Sequence, residues 1–417
     1  MRPIHPLHST SRHQPQRGAV AVMVALSLAV LVGAAGLAID SGRLYINKSE
    51  LQTAVDACAL AASRELVCDA ASNGCLLNAQ AAGTTAAARN RTDLQRNAAP
   101  AVTVTFSTTL DGAYAAAGAA ANNARYVRCT ANQTGLTPWL MGVLGTGDSS
   151  VGASAVSTLA PSQDFCLNTP MSLCSAGSGS NFGYTPNQWI TATTDKDDKI
   201  DGAMRWSSLT GNTSTTAIRD QLNSATPVCG FGSGSTLTLS NGVQQGVKSA
   251  YNTRFGLYPN GAGAAGPEDV PPDRTGYAYP SVDYAVNSNG AGVFADYRSR
   301  RNNRTPFTPD DYLGNRKNNN PNTKGSYSGN PITAAEHTQH GADRRLVAVS
   351  VADCGAASPK VLGTACILML NPMSDGNTSS LYMLFLGNAT ASTAACGSTG
   401  TPGGGGSKGP RVPTLVQ

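Results

Sequence analysis

Gly18 to Ile39 reads GAVAVMVALSLAVLVGAAGLAI, 22 residues without a charge, with Arg17 before it and Asp40 after it. As a helix, a run of this length crosses the roughly 30 Å hydrocarbon core of a bilayer. The apolar region of a secretory signal is about 7–15 residues long, so the length predicts an uncleaved anchor over 18–39. After Asp40-Ser-Gly-Arg43 comes LYINKSELQTAVDACALAASREL, with no Pro or Gly. There Leu51, Val55, Cys58/Ala59, Ala62 and Leu66 recur at helical spacing, one buried stripe; Gln52, Asp56, Ser63 and Arg64 fall off it. Together the two runs predict one helix over 19–67, ~73 Å long at 1.5 Å per residue, half in lipid and half in water. Within the span Ala21, Ala25, Ala29 and Gly33 form a small-residue ridge that admits a second helix, either of a partner or of another copy.

The first 17 residues hold Arg2, Arg12 and Arg17 and no acid. Positive charge on one flank keeps that end in the cytoplasm and sends the rest of the chain across. Residues 1–17 read as a short cytoplasmic tail, with His5, His8 and His13 solvated. Only 13% of residues are charged, about half the usual share, and Gly 45 with Pro 23 suits a loop-rich β protein better than a cytosolic enzyme. The net charge of +5 gives no case for nucleic-acid binding.

Ten Cys occur, at 58, 68, 75, 129, 166, 174, 229, 354, 366 and 396, and none forms a CxxC pair. Beyond an export helix they read as disulfides. Sequence proximity favours Cys68 with Cys75, Cys166 with Cys174, and Cys354 with Cys366. That leaves Cys58, Cys129, Cys229 and Cys396 with connectivity open.

Past the long helix, LLNAQAAGTTAAARNR reads as a second helix and AVTVTF (101–106) as a strand. ARYVRCTA (124–131) and SSVGASAVSTLA (149–160) are further strands, with a short helix over 136–145 between them. Residues 40–160 thus form a helix-and-sheet domain. From Pro161 the texture changes to a loop-rich, mainly β region over 161–417. Within it, 259–343 is rich in Asn, Gly, Pro and Tyr, has few aliphatic runs, and is expected to bury little core. RRLVAVSVADC (344–354), KVLGTACILMLNP (360–372) and SLYMLFLGNA (380–389) are strand candidates. The fold class is α+β: a transmembrane helix continuing into a pilin-like helix and small antiparallel sheet, then a disulfide-containing, mainly β exported domain.

Candidate chemistry is sparse. EHTQH (336–340) is not HExxH, because its Glu precedes the first His; a loop or surface pair is the expectation for His337 and His340. GGSKG (405–409) matches GxSxG but lacks the strand and helix of a nucleophile elbow. No GxxxxGK[ST] occurs, no GxGxxG sits between a strand and a helix, and no cofactor is called for. Asp195, Asp197 and Asp201 match positions 1, 3 and 7 of a calcium loop; Ile200 and Trp206 stand where that loop needs Gly and Glu, so a solvated turn is the expectation. Arg298, Arg300, Arg301, Arg304, Arg316 and Lys317, with Tyr297, Phe307 and Tyr312, could bind a polyanion; a solvated basic loop is the plainer reading.

Gly18-Ala-Val-Ala-Val, Ile39-Asp40-x-Gly42-Arg43 and Leu51-Gln52-x-Ala54-x-Asp56-Ala57-x-Ala59-Leu60-Ala61 together resemble the N-terminal domain of TadG-like proteins of the Flp (tight adherence) pilus-assembly systems. CLNTPMSLC, NTRFGLY, RRLVAVSVADC, ACILMLNP, FLGNA and VPTLVQ are similar to blocks of longer members. The resemblance implies a single-pass bacterial inner-membrane protein with its bulk in the periplasm. It implies a non-enzymatic structural role in type IVb-like pilus assembly, beside other pilus-assembly proteins. An envelope adhesin or ligand-binding module is the alternative. Pseudopilin relatives are cleaved after a Gly with Glu five residues on; here Met23 follows Gly18 at that distance, which argues against processing. The DxSxS metal site of some relatives is absent from the sequence, and the family supplies no catalytic residue.

Overall fold

The computed structural model describes residues 17–66, 74–194, 200–224, 226–240, 246–259, 264–279, 290–307, 327, 329–374, 379–391, 394–397, 400–403, 407 and 409–416. The chain divides into two compact units. The first comprises Met1–Cys58, Thr84–Thr103 and Cys129–Ala155; the second comprises Ala59–Gly83, Val104–Arg128 and Val156–Gln417.

One helix, Arg17–Arg64, carries both the apolar run and the Ala-rich run. At 1.5 Å per residue it is ~72 Å long, and its most apolar 18-residue stretch, of mean hydropathy 2.5, suffices to cross a membrane. From Val20 to Val32 its large side chains are more than half exposed. The stripe read from the sequence is buried: Leu51, Val55, Cys58, Ala59, Ala62 and Leu66. Ser63, expected off the stripe, is buried too, and its hydroxyl accepts from Ser157 Oγ at 2.8 Å. A small hydroxyl that finds a partner can occupy a core position that Gln or Arg cannot. The second helix is Gly74–Ala88, and the 136–145 stretch contains a single 3₁₀ turn, Met141–Leu144. In the first unit the helix is stapled to the strand Tyr126–Leu136 by Cys58–Cys129.

The second unit is built on a sheet with eight strands among the described residues. Its order is Thr238–Ser240, Met204–Ser208, Met171–Cys174, Leu346–Ala352, Val361–Met369, Ser379–Asn388, Gln188–Thr194, Ile200–Gly202. Only the pairing of Leu346–Ala352 with Met171–Cys174 is parallel. The two central strands are buried almost throughout, which is why they read as continuous apolar runs. Val347, Val349, Val351, Ala365 and Ile367 join the main core on one face, and Leu368 and Leu384 join a second cluster on the other.

That second cluster corrects the expectation for 259–343. Tyr277, Tyr279, Val293 and Tyr297 pack there, the last two on the helix Gly290–Asn302. Among its described residues the segment buries Tyr277, Tyr279, Tyr297 and Phe307 beside Val270, Val293 and Ile332; each ring hides ~150–250 Å², so few aliphatic residues are needed. The C-terminal Arg411–Leu415 is also a strand, paired with Ser157–Pro161 of the long strand Ser149–Leu167.

Proximity in sequence misassigned two disulfides. Cys166 bonds Cys229, Cys174 bonds Cys354, and Cys366 bonds Cys396. Cys166 and Cys174 sit on successive strands of different sheets. Cys366 pairs in register with Ala348, well along the hairpin from Cys354. Extended chain advances ~3.3 Å per residue, far beyond the reach of a disulfide within a few residues. Cys75 is disulfide-bonded; Cys68 lies outside the described residues.

Candidate functional site

Four polar residues mark one face of the long helix just past the apolar run: Asp40, Arg43, Asn47 and Glu50. Their spacing of three, four and three is that of one helical stripe. Asp40 holds the loop after the strand Tyr126–Leu136. Its carboxylate accepts from the backbone N–H of Trp139 at 2.8 Å, Leu140 at 3.1 Å and Met141 at 2.7 Å. Arg43 Nη1 donates to Thr137 O at 2.7 Å and its guanidinium lies 4.6 Å over the Trp139 ring.

The same stripe holds a second loop. Arg43 makes a forked pair with Asp93 at 3.0 and 2.9 Å. Asn47, fully buried, donates to Arg43 O and accepts from Asp93 N at 3.0 Å. Glu50 accepts from Leu94 N and Gln95 Nε2. These partners lie in the turn between the short strands Arg91–Thr92 and Asn97–Ala98. Asp93, Leu94 and Gln95 all have positive φ, 56°, 59° and 64°. Such backbone costs ~1 kcal/mol or more per non-Gly residue; the helix stripe offsets this with charge-assisted hydrogen bonds. Hydrogen bonds from Met141, Trp139 and Leu140, with the charge of Arg43, hold the Asp40 carboxyl below its ordinary 3.8, against the opposing effect of desolvation.

Sequence reasoning quoted Asp40 and Arg43 for their resemblance value and did not find the stripe. The signal was present: the polar spacing parallels that of Leu51 and Val55 one face over. Gly36 was missed as well. A methyl there would lie 3.2 Å from Leu140 Cβ and 3.4 Å from Met141 Sδ, so the missing side chain admits the loop.

In the second unit, two sequence blocks converge on Asp273. NTRFGLY supplies Arg254 and RRLVAVSVADC supplies Arg344 and Arg345, all buried. Asp273 accepts from the backbone N–H of Arg344 and Arg345 at 2.8 and 3.0 Å and from Tyr297 Oη at 3.2 Å. Arg345 donates to the carbonyls of Met369, Thr275 and Tyr277 and lies over Phe255. Arg254 donates to Arg344 O, Asn168 O and Thr169 Oγ1. Burial raises the Asp273 carboxyl and lowers the Arg254 guanidinium; burial also brings Arg344 down to about 10. Apart from Arg254 Nε, which is buried without a partner among the described residues, these bonds tie the segments together as a clamp.

A cavity of ≈ 230 Å³ opens beside the clamp, lined among others by Arg64, Glu65, Asn78, Arg298, Arg301 and Asp343. Arg301 pairs with Asp343 at 2.7 and 2.8 Å and with Glu65 at 3.3 Å. Burial alone would raise Asp343, but the hydrogen bonds and charge of Arg301 hold its carboxyl below the ordinary range.

The remaining sequence candidates fall as follows. Ala21, Ala25 and Ala29 are exposed along the apolar half of the helix, and a methyl added at Gly33 would meet nothing within 4 Å. Asp195 and Asp197 lie outside the described residues; Asp201 pairs with Arg205 at 2.7 Å. No group of three metal-ligating side chains occurs among the described residues. The expected His surface pair is corrected: both lie on the helix Ala334–His340, but His337 faces the core, its Nδ1 2.7 Å from Asp273 O, while His340 is half-buried. The basic loop is corrected too. Arg298, Arg300 and Arg301 lie on the helix Gly290–Asn302, with Arg300 paired to Asp296 and stacked 3.6 Å over Tyr277. Arg304 follows that helix; Arg316, Lys317 and Tyr312 lie outside the described residues, as do His5, His8 and His13. Ser407 of the GxSxG match lies beside Gly403, outside any helix or strand.

No curated protein and no solved structure matches the chain. Residues 18–73 match the Tad family model, described as "Putative Flp pilus-assembly TadE/G-like". The match begins at the first residue of the apolar run and takes in Gly36 and the whole Asp40–Glu50 stripe. The chain therefore carries a segment similar to the TadE/G-like model, and that similarity takes in its N-terminal helix with the polar stripe.

Proposed function

We propose that this protein is a membrane-anchored, non-enzymatic structural component of Flp (tight adherence, type IVb) pilus assembly. In this reading the helix crosses the bacterial inner membrane once, the N-terminus stays in the cytoplasm and the bulk is periplasmic. Its partners are other pilus-assembly proteins in that membrane. One observation carries the reading: the TadE/G-like match coincides with an apolar helix and the polar stripe that fixes two loops to it. The clamp around Asp273 adds support, since its charged groups are committed to backbone partners. Deleting the gene tests the proposal: pili should be lost from the cell surface while pilin is still made. Normal pili on the deletion strain would overturn it.

The cavity beside Arg301 favours a second reading, a ligand-binding envelope module. Protease shaving of intact cells separates the two. A surface adhesin is cut; a periplasmic scaffold is spared.

A further inference from the structure

We propose that the loop Leu136–Gly145 is a second membrane contact, its Trp139–Leu140–Met141 tip lying in the interfacial layer of the leaflet from which the long helix emerges. The inference rests on the membrane-spanning reading of that helix and adds a surface that reading does not contain.

Depth is set by Gly36. The loop packs on the helix there, with Leu140 Cβ and Met141 Sδ at contact distance of a methyl placed on that glycine. Gly36 lies three residues before Ile39, the last of the uncharged run, ~4.5 Å along the axis and less than one turn. The 22 uncharged residues make ~33 Å of helix, against ~30 Å of hydrocarbon. A loop seated at Gly36 therefore reaches the level at which the helix leaves the apolar core.

Chemistry at the tip matches that level. Trp139 and Leu140 are 48% and 43% exposed, and Leu37 beside them on the helix is 57% exposed. The loop's exposed apolar surface is thus continuous with that of the spanning helix. Indole is the side chain most at home between headgroups and chains, and Arg43 over its ring supplies a cation on the water side. Backbone bonding matches too. Unpaired N–H groups are costly near lipid, and the one carboxylate of Asp40 takes those of Trp139, Leu140 and Met141.

Full-length protein in phosphatidylcholine–phosphatidylethanolamine vesicles, photolabelled with a hydrophobic diazirine, provides the test. Label is expected in peptides covering 18–39 and in those covering 136–145. Label in 18–39 alone overturns the inference and leaves the membrane reading standing. Label in neither removes both. As a second measurement, Trp139 emission is taken as the difference between the wild type and Trp139→Phe. It should be lost when the lipids are brominated in the upper acyl chain; unchanged emission contradicts the inference. If Trp139→Phe does not fold, photolabelling of the wild type still decides the matter.

Discussion

Arg43 does three tasks with one guanidinium, pairing Asp93, donating to Thr137 O and covering Trp139. Arg43→Ala should loosen both loops, which keep their bonds to Asp40, Asn47 and Glu50, and cost about 2 kcal/mol, the scale of charge-assisted hydrogen bonds, read as a lower thermal midpoint in detergent. Arg301 is a second such residue. Arg301→Ala removes the cation between Asp343 and Glu65 and leaves Asp343 only the longer pair with Arg274 at 3.4 Å; it should cost about 3 kcal/mol, seen as a lower urea midpoint. His337 makes stability depend on pH. Its Nδ1 faces a carbonyl and so carries the proton, while Nε2 is buried without a partner among the described residues. Burial lowers its pKa below the ordinary 6.5. The unfolded chain takes up a proton as pH falls below 6.5, and the folded one does so only at the lowered value. Stability present above pH 6.5 is therefore lost as pH falls through that window. The thermal midpoint should drop on acidification there, and His337→Asn should flatten the dependence.

At the scale of elements, the sequence was most legible where period and burial coincide. The 48-residue helix followed from two runs and a stripe. The strands 346–352, 361–369 and 379–388 followed from β-branched and aliphatic runs. It was least legible where pairing is non-local. No local rule brings Cys174 to Cys354, 180 residues on, because the parallel partnership of Met171–Cys174 with Leu346–Ala352 is decided by the sheet. The tyrosines of 259–343 were hidden likewise, since single aromatics between Gly and Asn have no period. Replacing Cys174 and Cys354 with Ala should cost about 2–5 kcal/mol and lower the thermal midpoint under non-reducing conditions. An unchanged midpoint would mean that the sheet needs no staple there.

For the whole molecule, the account joins an apolar helix to a polar stripe that organises what stands beside it. The stripe itself was readable only in retrospect. Asp40, Arg43, Asn47 and Glu50 have helical spacing in the sequence, but their partners Asp93 and Trp139 are 46 or more residues away and carry no motif. The cavity at Arg301 and the clamp at Asp273 were equally silent, because each gathers side chains from distant segments. The resemblance over the first helix was legible because its residues are contiguous. The central claim is that this helix remains part of the chain as its anchor. The direct measurement is intact mass of the protein recovered from cell membranes after an alkaline wash. The account predicts that the chain stays in the membrane pellet and that its mass includes residues 18–39; a chain released to the supernatant and shortened past Ile39 would contradict it.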